Sequence, residues 1–406
     1  LGHEGHHMDP EIELTIMGER ESAGHIQALL DQFTAEQQIP VRLRVLSWDT
    51  AWSDLVKIGR AGAGPDVSEI GSTWVGDLVA MRAVHPFTDA EIAELGTADA
   101  FLPVAWHGTH LAGETQPWAI PWLAGARLLI FRHNLLERAG VDALTAFQTA
   151  NQVDLTLARL QASGVRVPWT VPTGTTHASL LNIASWVWGG GGEFVTPDGR
   201  HCLFSQPQAR AGMRAYFALG RYLTPAVRHL ARLEPDEQFL RDPETAATLS
   251  GPWLFLAART RGTPDLATHL GVALPPGPSF VGGSNLIIWN HTRQPAAALR
   301  LIHFLTQPAA QVIYSQRMGL LPARLDALAG PPFAGDPLWQ QTIQGVRTGR
   351  SFPVIRAWGL LEYRLTATLG TLWAETLANP SLDLDAALAQ HLQTLAQRID
   401  PILGQD

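Results

Sequence analysis

The chain has 406 residues, of which 46% are hydrophobic and 16% charged, a balance that gives a large core and excludes a disordered chain. Its formal charge of −8, with no basic run and no aromatic residues interleaved with Lys or Arg, argues against a nucleic-acid surface. At roughly 100 to 200 residues per domain the length suits two domains, and no apolar run approaches the ~18 residues of a membrane span.

The opening Leu1 to Pro10, with three histidines, reads as an expression remnant or a disordered lead-in outside the fold. Within it, His3-Glu4-Gly5-His6-His7 formally matches the His-Glu-x-x-His pattern of zinc proteases. That chemistry needs both histidines on one face of a stable helix, which a glycine-containing chain end does not supply. Cys202 is the single cysteine, so neither an internal disulfide nor a thiolate zinc site is expected.

Glu13 to Met17 is a short strand followed by a polar loop, Gly18 to Ser22, and by Ile26, Leu29, Leu30 and Phe33 at helical spacing. Val41, Leu43 and Val45 alternate with Arg42 and Arg44, the pattern of a half-exposed strand, which ends at Ser47-Trp48-Asp49 before a helix carrying Trp52, Leu55 and Val56. Gly64-Pro65 closes that helix, Asp66 to Ile70 is a third strand, and Gly71 turns the chain so that Ser72, Thr73 and Trp74 stand at its carboxyl end. Alternating strands and helices with short connections predict a mostly parallel, doubly wound sheet. In such a sheet the carboxyl ends of the strands share one rim, where ligands bind. Glu19 and Ser22, Trp48 and Asp49, and Ser72 to Trp74 occupy three successive ends, and hydroxyls beside flat rings suit a ligand with many OH groups and apolar C–H faces, a sugar.

Farther on, Trp118 to Trp122 is an apolar strand broken by Pro121, and Arg127 to Arg132 resumes as a strand. Proline and small residues between them mark a crossover between domains. Val167 to Val171 reads as a short strand, and Leu180 to Val187 as an apolar helix running into Gly189 to Gly192. No Gly-Lys-Ser/Thr follows those glycines, so they end a helix and do not cradle phosphate. Gly271 to Pro275, leading into Pro276-Gly277-Pro278, is a second crossover, and Gly319 to Ala323 a third; helices fill the rest.

With these pieces in order, the chain resembles the extracellular solute-binding proteins of sugar-importing ABC transporters, the maltose-binding-like family. The matching segments are Gly64 to Val67 with Gly71 to Trp74; Ile120-Pro121-Trp122 with Arg127 and Phe131 to Leu135; Ser250-Gly251-Pro252-Trp253; and Val281 to Leu286. Departures fall on the scaffold: Leu144 to Phe147 stands where a Thr-Trp pair is common.

The resemblance implies an α/β fold of two lobes, each an open, mostly parallel sheet flanked by helices and joined by crossing hinge strands. It divides the chain into 11-121 plus 279-321 for lobe 1 and 122-278 plus 322-406 for lobe 2. A sugar would lie in the cleft between lobes and favour the closed state by its contacts with both. The first lobe would contribute Glu19, Trp48, Asp49, Ser72, Thr73, Trp74 and a Gly283-Ser284-Asn285 turn; the second, Trp122, Arg127, Trp186, Trp253, Arg356 and Trp358. Fourteen tryptophans against four tyrosines fit indole stacking on pyranose faces. The resemblance further implies a carbohydrate ligand, the membrane permease subunits of an ABC importer as partner, a monomer, and no cofactor or metal. It also implies a periplasmic or extracellular location, with lipoprotein anchoring left open because no N-terminal cysteine is present.

Two other readings compete. A carbohydrate hydrolase needs two carboxylates about 5 to 10 Å apart across one glycosidic bond, for which Glu19 and Asp49 are the available pair. The same fold could instead hold a peptide, an amino-acid-like anion or a metal, but the His/carboxylate cluster or Arg/Ser-rich loop such ligands call for is not evident.

Overall fold

The computed structural model describes residues 11–405; Leu1 to Pro10, with the His-Glu-x-x-His match, lies outside them. Two compact units divide the chain. The first holds the chain through Ala124 with Gly282–Pro332 and Val354–Arg356, and the second holds Gly125–Val281, Phe333–Pro353 and the chain from Ala357 onward.

The first unit is built on strands β1 (Ile12–Met17), β2 (Val41–Leu46), β3 (Val67–Gly71), β4 (Ile120–Ala126), β8 (Val281–Ile288) and β9 (Leu321–Pro322), in the order β2-β1-β3-β8-β4-β9. β1 pairs in parallel with β2 and β3, whereas β8 returns antiparallel to β3. The alternation in β1 sends Ile12, Leu14 and Ile16 to one face, where the helix Ser22–Gln37 lays Ile26, Leu29, Leu30 and Phe33 over them. The opposite face takes Met17 and Ile70 with Leu55 and Ile58 of the helix Ala51–Ala61. Helices on both faces make this unit doubly wound, and Arg42 and Arg44 point outward from the edge strand β2, where charge opposes pairing with another chain.

The second unit carries a smaller sheet of β5 (Leu128–Arg132), β6 (Ala247–Ser250) and β7 (Leu270–Ala273), in the order β6-β5-β7. Here the expectation of a mostly parallel sheet needs correction, since β5 is antiparallel to both neighbours. β6 and β7, joined through the helices Trp253–Arg261 and Leu266–His269, do run the same way, as a strand-helix-strand crossover requires. The earlier strand β5 is inserted between them in the opposite sense. The expected strand Val167 to Val171 appears only as parallel bridges from Val167 to Thr245 and from Thr170 to Thr248.

Glycines place the second unit's helices. The helix His177–Gly189 packs against the helix Pro207–Phe217 at Gly212, where an added Cβ would meet the Trp186 carbonyl at 2.4 Å. The glycine run past Gly189 is a helix end and turn, Gly191 taking φ +79°.

Candidate ligand-binding site

Because β1, β2 and β3 are parallel, Met17, Leu46 and Gly71 end on one rim, tied where the Gly18 N–H donates to the Leu46 carbonyl at 3.0 Å. Glu19 and Asp49 stand exposed there, with Trp48, Ser72 and Thr73 half-buried and Trp74 buried. The rings of Trp48 and Trp74 lie 6.0 Å apart at 53°. A Cβ on Gly71 would approach Cδ2 of Trp74 to 3.1 Å, so the indole packs back over the strand end, and the Ser72 N–H fixes the loop by donating to the Gly283 carbonyl at 3.2 Å. The structure therefore brings Glu19, Trp48, Asp49, Ser72, Thr73 and Trp74 to one edge of the first unit.

Gly283, Ser284 and Asn285 are not the turn the sequence suggested. They lie inside β8, with Ser284 opposite Gly71 and Asn285 opposite Ile70, both buried. Gly283 at φ +138° allows β8 to run so close to β4 that a Cβ would sit 2.0 Å from the Leu123 carbonyl. Beneath this rim is a carboxyl that sequence reasoning passed over. Glu69 of β3 is 2% exposed and accepts a hydrogen bond from the Met17 N–H at 2.7 Å. Burial pushes its pKa up to about 7 against the opposing pull of the Ser284 hydroxyl and that N–H. The only hint was an acid inside a short strand between Val67 and Ile70.

In the second unit Trp253 begins the helix Trp253–Arg261 directly after β6 and Gly251-Pro252. Its partly exposed indole donates Nε1–H to Oδ2 of Asp236 at 2.9 Å, and the Arg127 guanidinium carbon stands 5.1 Å from its ring centroid, a cation–π distance. Asp236, on the helix Glu234–Arg241, is buried. Burial raises its carboxyl pKa, opposed by hydrogen bonds from Trp253 and Ser250 and by the Arg127 charge. Burial likewise lowers Arg127 to about 10, with Asp236 pulling the other way, so the guanidinium stays charged at neutral pH. Asp236 and Ser250 were not foreseen as site residues; the charged run Glu234 to Glu237 looks in sequence like any solvated helix start.

Four expected ligand contacts sit elsewhere. Trp122 belongs to the first unit, not the second, and is fully buried: its ring stacks on Tyr314 at 4.6 Å and its Nε1–H donates to the Leu305 carbonyl at 3.3 Å. Trp186 is buried edge-on against Tyr216 at 5.0 Å. Trp358 is buried and stacked on Phe352 at 4.5 Å. Indoles that fill cores in this way have no face left for a ligand. Arg356 is exposed, groups with the first unit and donates to Glu114 at 3.3 Å. Among the described residues no three His, Cys, Asp or Glu side chains converge as a metal site, and no helix is long and apolar enough to cross a membrane.

The sequence profile of the family described as "Bacterial extracellular solute-binding protein" matches residues 28–341. The chain belongs to this family. One curated relative of this solute-binding protein is a "Probable ABC transporter-binding protein" of Deinococcus radiodurans, 25% identical over 297 residues, covering 69% of this chain and 68% of that one. Among solved structures, an ABC transporter solute-binding protein of Thermotoga lettingae bound with α-D-tagatose aligns at TM-score 0.83 with 20% identity over 98% of this chain and 100% of that one. Maltose-bound MalE3 of T. maritima aligns at 0.80 with 21% identity over 95% and 99% of the two chains. The sugar-binding protein MalE of Xanthomonas citri aligns at 0.80 with 22% identity over 97% and 98%. What this solute-binding protein shares with them is the two-lobe α/β fold.

Proposed function

We propose that this solute-binding protein binds a mono- or oligosaccharide without chemical change and delivers it to the membrane subunits of an ABC importer on the outer side of the membrane. The observation that carries this reading is an accessible indole at a strand end in each unit, Trp48 in one and Trp253 in the other, each beside hydroxyl, carboxylate or guanidinium groups. Such a ring takes the C–H face of a pyranose while the polar groups read its hydroxyls, and an unpaired polar group there would cost about 1 to 3 kcal/mol. A ligand touching residues of both units favours the arrangement that lets it touch both, which is how binding becomes hinge closure. The tagatose and maltose held by structural neighbours support a saccharide over a peptide. Against hydrolysis, the available pair Glu19 and Asp49 stands exposed at neighbouring strand ends of one unit. The protein acts as a monomer.

A thermal-shift screen against D-tagatose, maltose, acarbose, amino acids and divalent metals, with product analysis on each hit, tests the reading. A ligand at 100 times its Kd stabilises by about 2.7 kcal/mol. A saccharide that raises the melting temperature and is recovered intact supports the proposal; cleavage, or stabilisation by an amino acid or metal alone, overturns it.

A further inference from the structure

We infer that Asp236 is a positioning residue for saccharide binding: its buried carboxylate locks the Trp253 indole in its ligand-stacking orientation. This rests on the saccharide reading above and adds a residue that does not itself touch the ligand.

A tryptophan at the first position of a helix has two side-chain torsions to fix, and a partly exposed one is not fixed by packing alone. Here three features of the site bear on one ring. Gly251 leaves room for it to fold back over the end of β6, since a Cβ there would lie 2.0 Å from Cζ3. Arg127 stands against the ring at 5.1 Å. Asp236 accepts the indole N–H at 2.9 Å, and this third contact is the directional one.

Burying the carboxylate of Asp236 at 7% exposure carries a desolvation cost that the fold could avoid with any apolar residue. Its compensating partners all belong to the same site: the Trp253 N–H, the Ser250 hydroxyl at the end of β6 and the Arg127 charge, with Arg232 and Glu237 the further charges around it. A hydrogen bond to a charged acceptor is about twice as strong as a neutral one, and the Arg127 charge together with the Trp253 and Ser250 donors favours the charged form of Asp236 against its burial. Holding the ring before the ligand arrives removes an ordering cost from binding.

The test labels the protein with 5-fluorotryptophan, assigns the Trp253 fluorine line by its loss in Trp253→Phe, and compares Asp236→Ala with Asp236→Asn. Asn keeps volume and an acceptor oxygen, so it guards against misfolding of the Ala variant. Without ligand, the Trp253 line should shift or broaden in Asp236→Ala and move much less in Asp236→Asn. With D-tagatose and maltose as probes, Asp236→Ala should weaken binding on the order of 10-fold in the native background, Asp236→Asn less than about 3-fold. In the Trp253→Phe background, where there is no N–H to hold, Asp236→Ala should change affinity by less than about 2-fold. An unmoved fluorine line, or the same affinity loss in both backgrounds, overturns the inference. If neither sugar binds the native protein, the saccharide reading fails for these probes, while the fluorine line alone still decides whether Asp236 holds the ring.

Discussion

The indole of Trp253 lies so close over Gly251 that a Cβ added to the glycine would sit 2.0 Å from Cζ3, and the ring, being rigid, could not yield without turning away from Asp236. Trp74 packs back over Gly71 in the same manner but with a clearance of 3.1 Å. Each unit thus has, at or just past the end of a strand, a glycine whose missing side chain is where a tryptophan rests.

From this, Gly251→Ala should displace Trp253 and lower saccharide affinity by about tenfold or more, with the stability loss of about 1 to 3 kcal/mol typical of overpacking. Gly71→Ala should cost less than about 1 kcal/mol, because a few tenths of an ångström of ring movement relieves it. Urea unfolding and calorimetric titration of both variants check the ranking. Equal penalties would mean that the Trp253 ring adapts freely.

The buried Glu69 sets a pH dependence of stability. Below its ordinary value of 4.5 the carboxyl is protonated in both states and contributes no slope. Between 4.5 and about 7 the folded protein keeps a proton that the unfolded chain has lost, so stability falls as pH rises, by roughly 3 kcal/mol across the window, and stays at the lower level above it. Glu69→Gln keeps an acceptor for the Met17 N–H but does not titrate. Its denaturation free energy should lack this fall and should equal or exceed that of the native protein at pH 8. Parallel pH profiles for the two proteins would show that Glu69 is ionised in the fold.

The first unit's strands were legible because β1 and β2 alternate and β3 is bounded by Gly-Pro and glycine, local signals that need no distant partner. From those strands followed the rim carrying Glu19, Trp48, Asp49, Ser72, Thr73 and Trp74. Tryptophan burial was not legible. Trp122 reads in sequence like any aromatic beside a crossover, and its fate is decided by Tyr314 and the Leu305 carbonyl, far along the chain. Arg356 and Trp358 are two positions apart yet belong to different units, because the chain passes from one to the other between Arg356 and Ala357. The pairing sense of the second sheet was hidden for a related reason: β5 precedes its neighbours by more than a hundred residues, so no short connection constrained its direction.

Trp48 and Trp122 separate ligand contact from core packing. Trp122→Ala removes a fully buried ring stacked on Tyr314 and should cost about 3 to 5 kcal/mol of stability. Its effect on saccharide affinity, measured where the variant remains folded, should be small. Trp48→Ala removes a half-buried ring at the rim beside Trp74 and should cost about 1 kcal/mol or less while weakening saccharide binding by about tenfold or more. Denaturant midpoints and titrations on the two variants place each on both axes. If Trp48→Ala loses stability and keeps affinity, the rim of the first unit is packing, and the saccharide contact rests on the second unit and Trp253 alone.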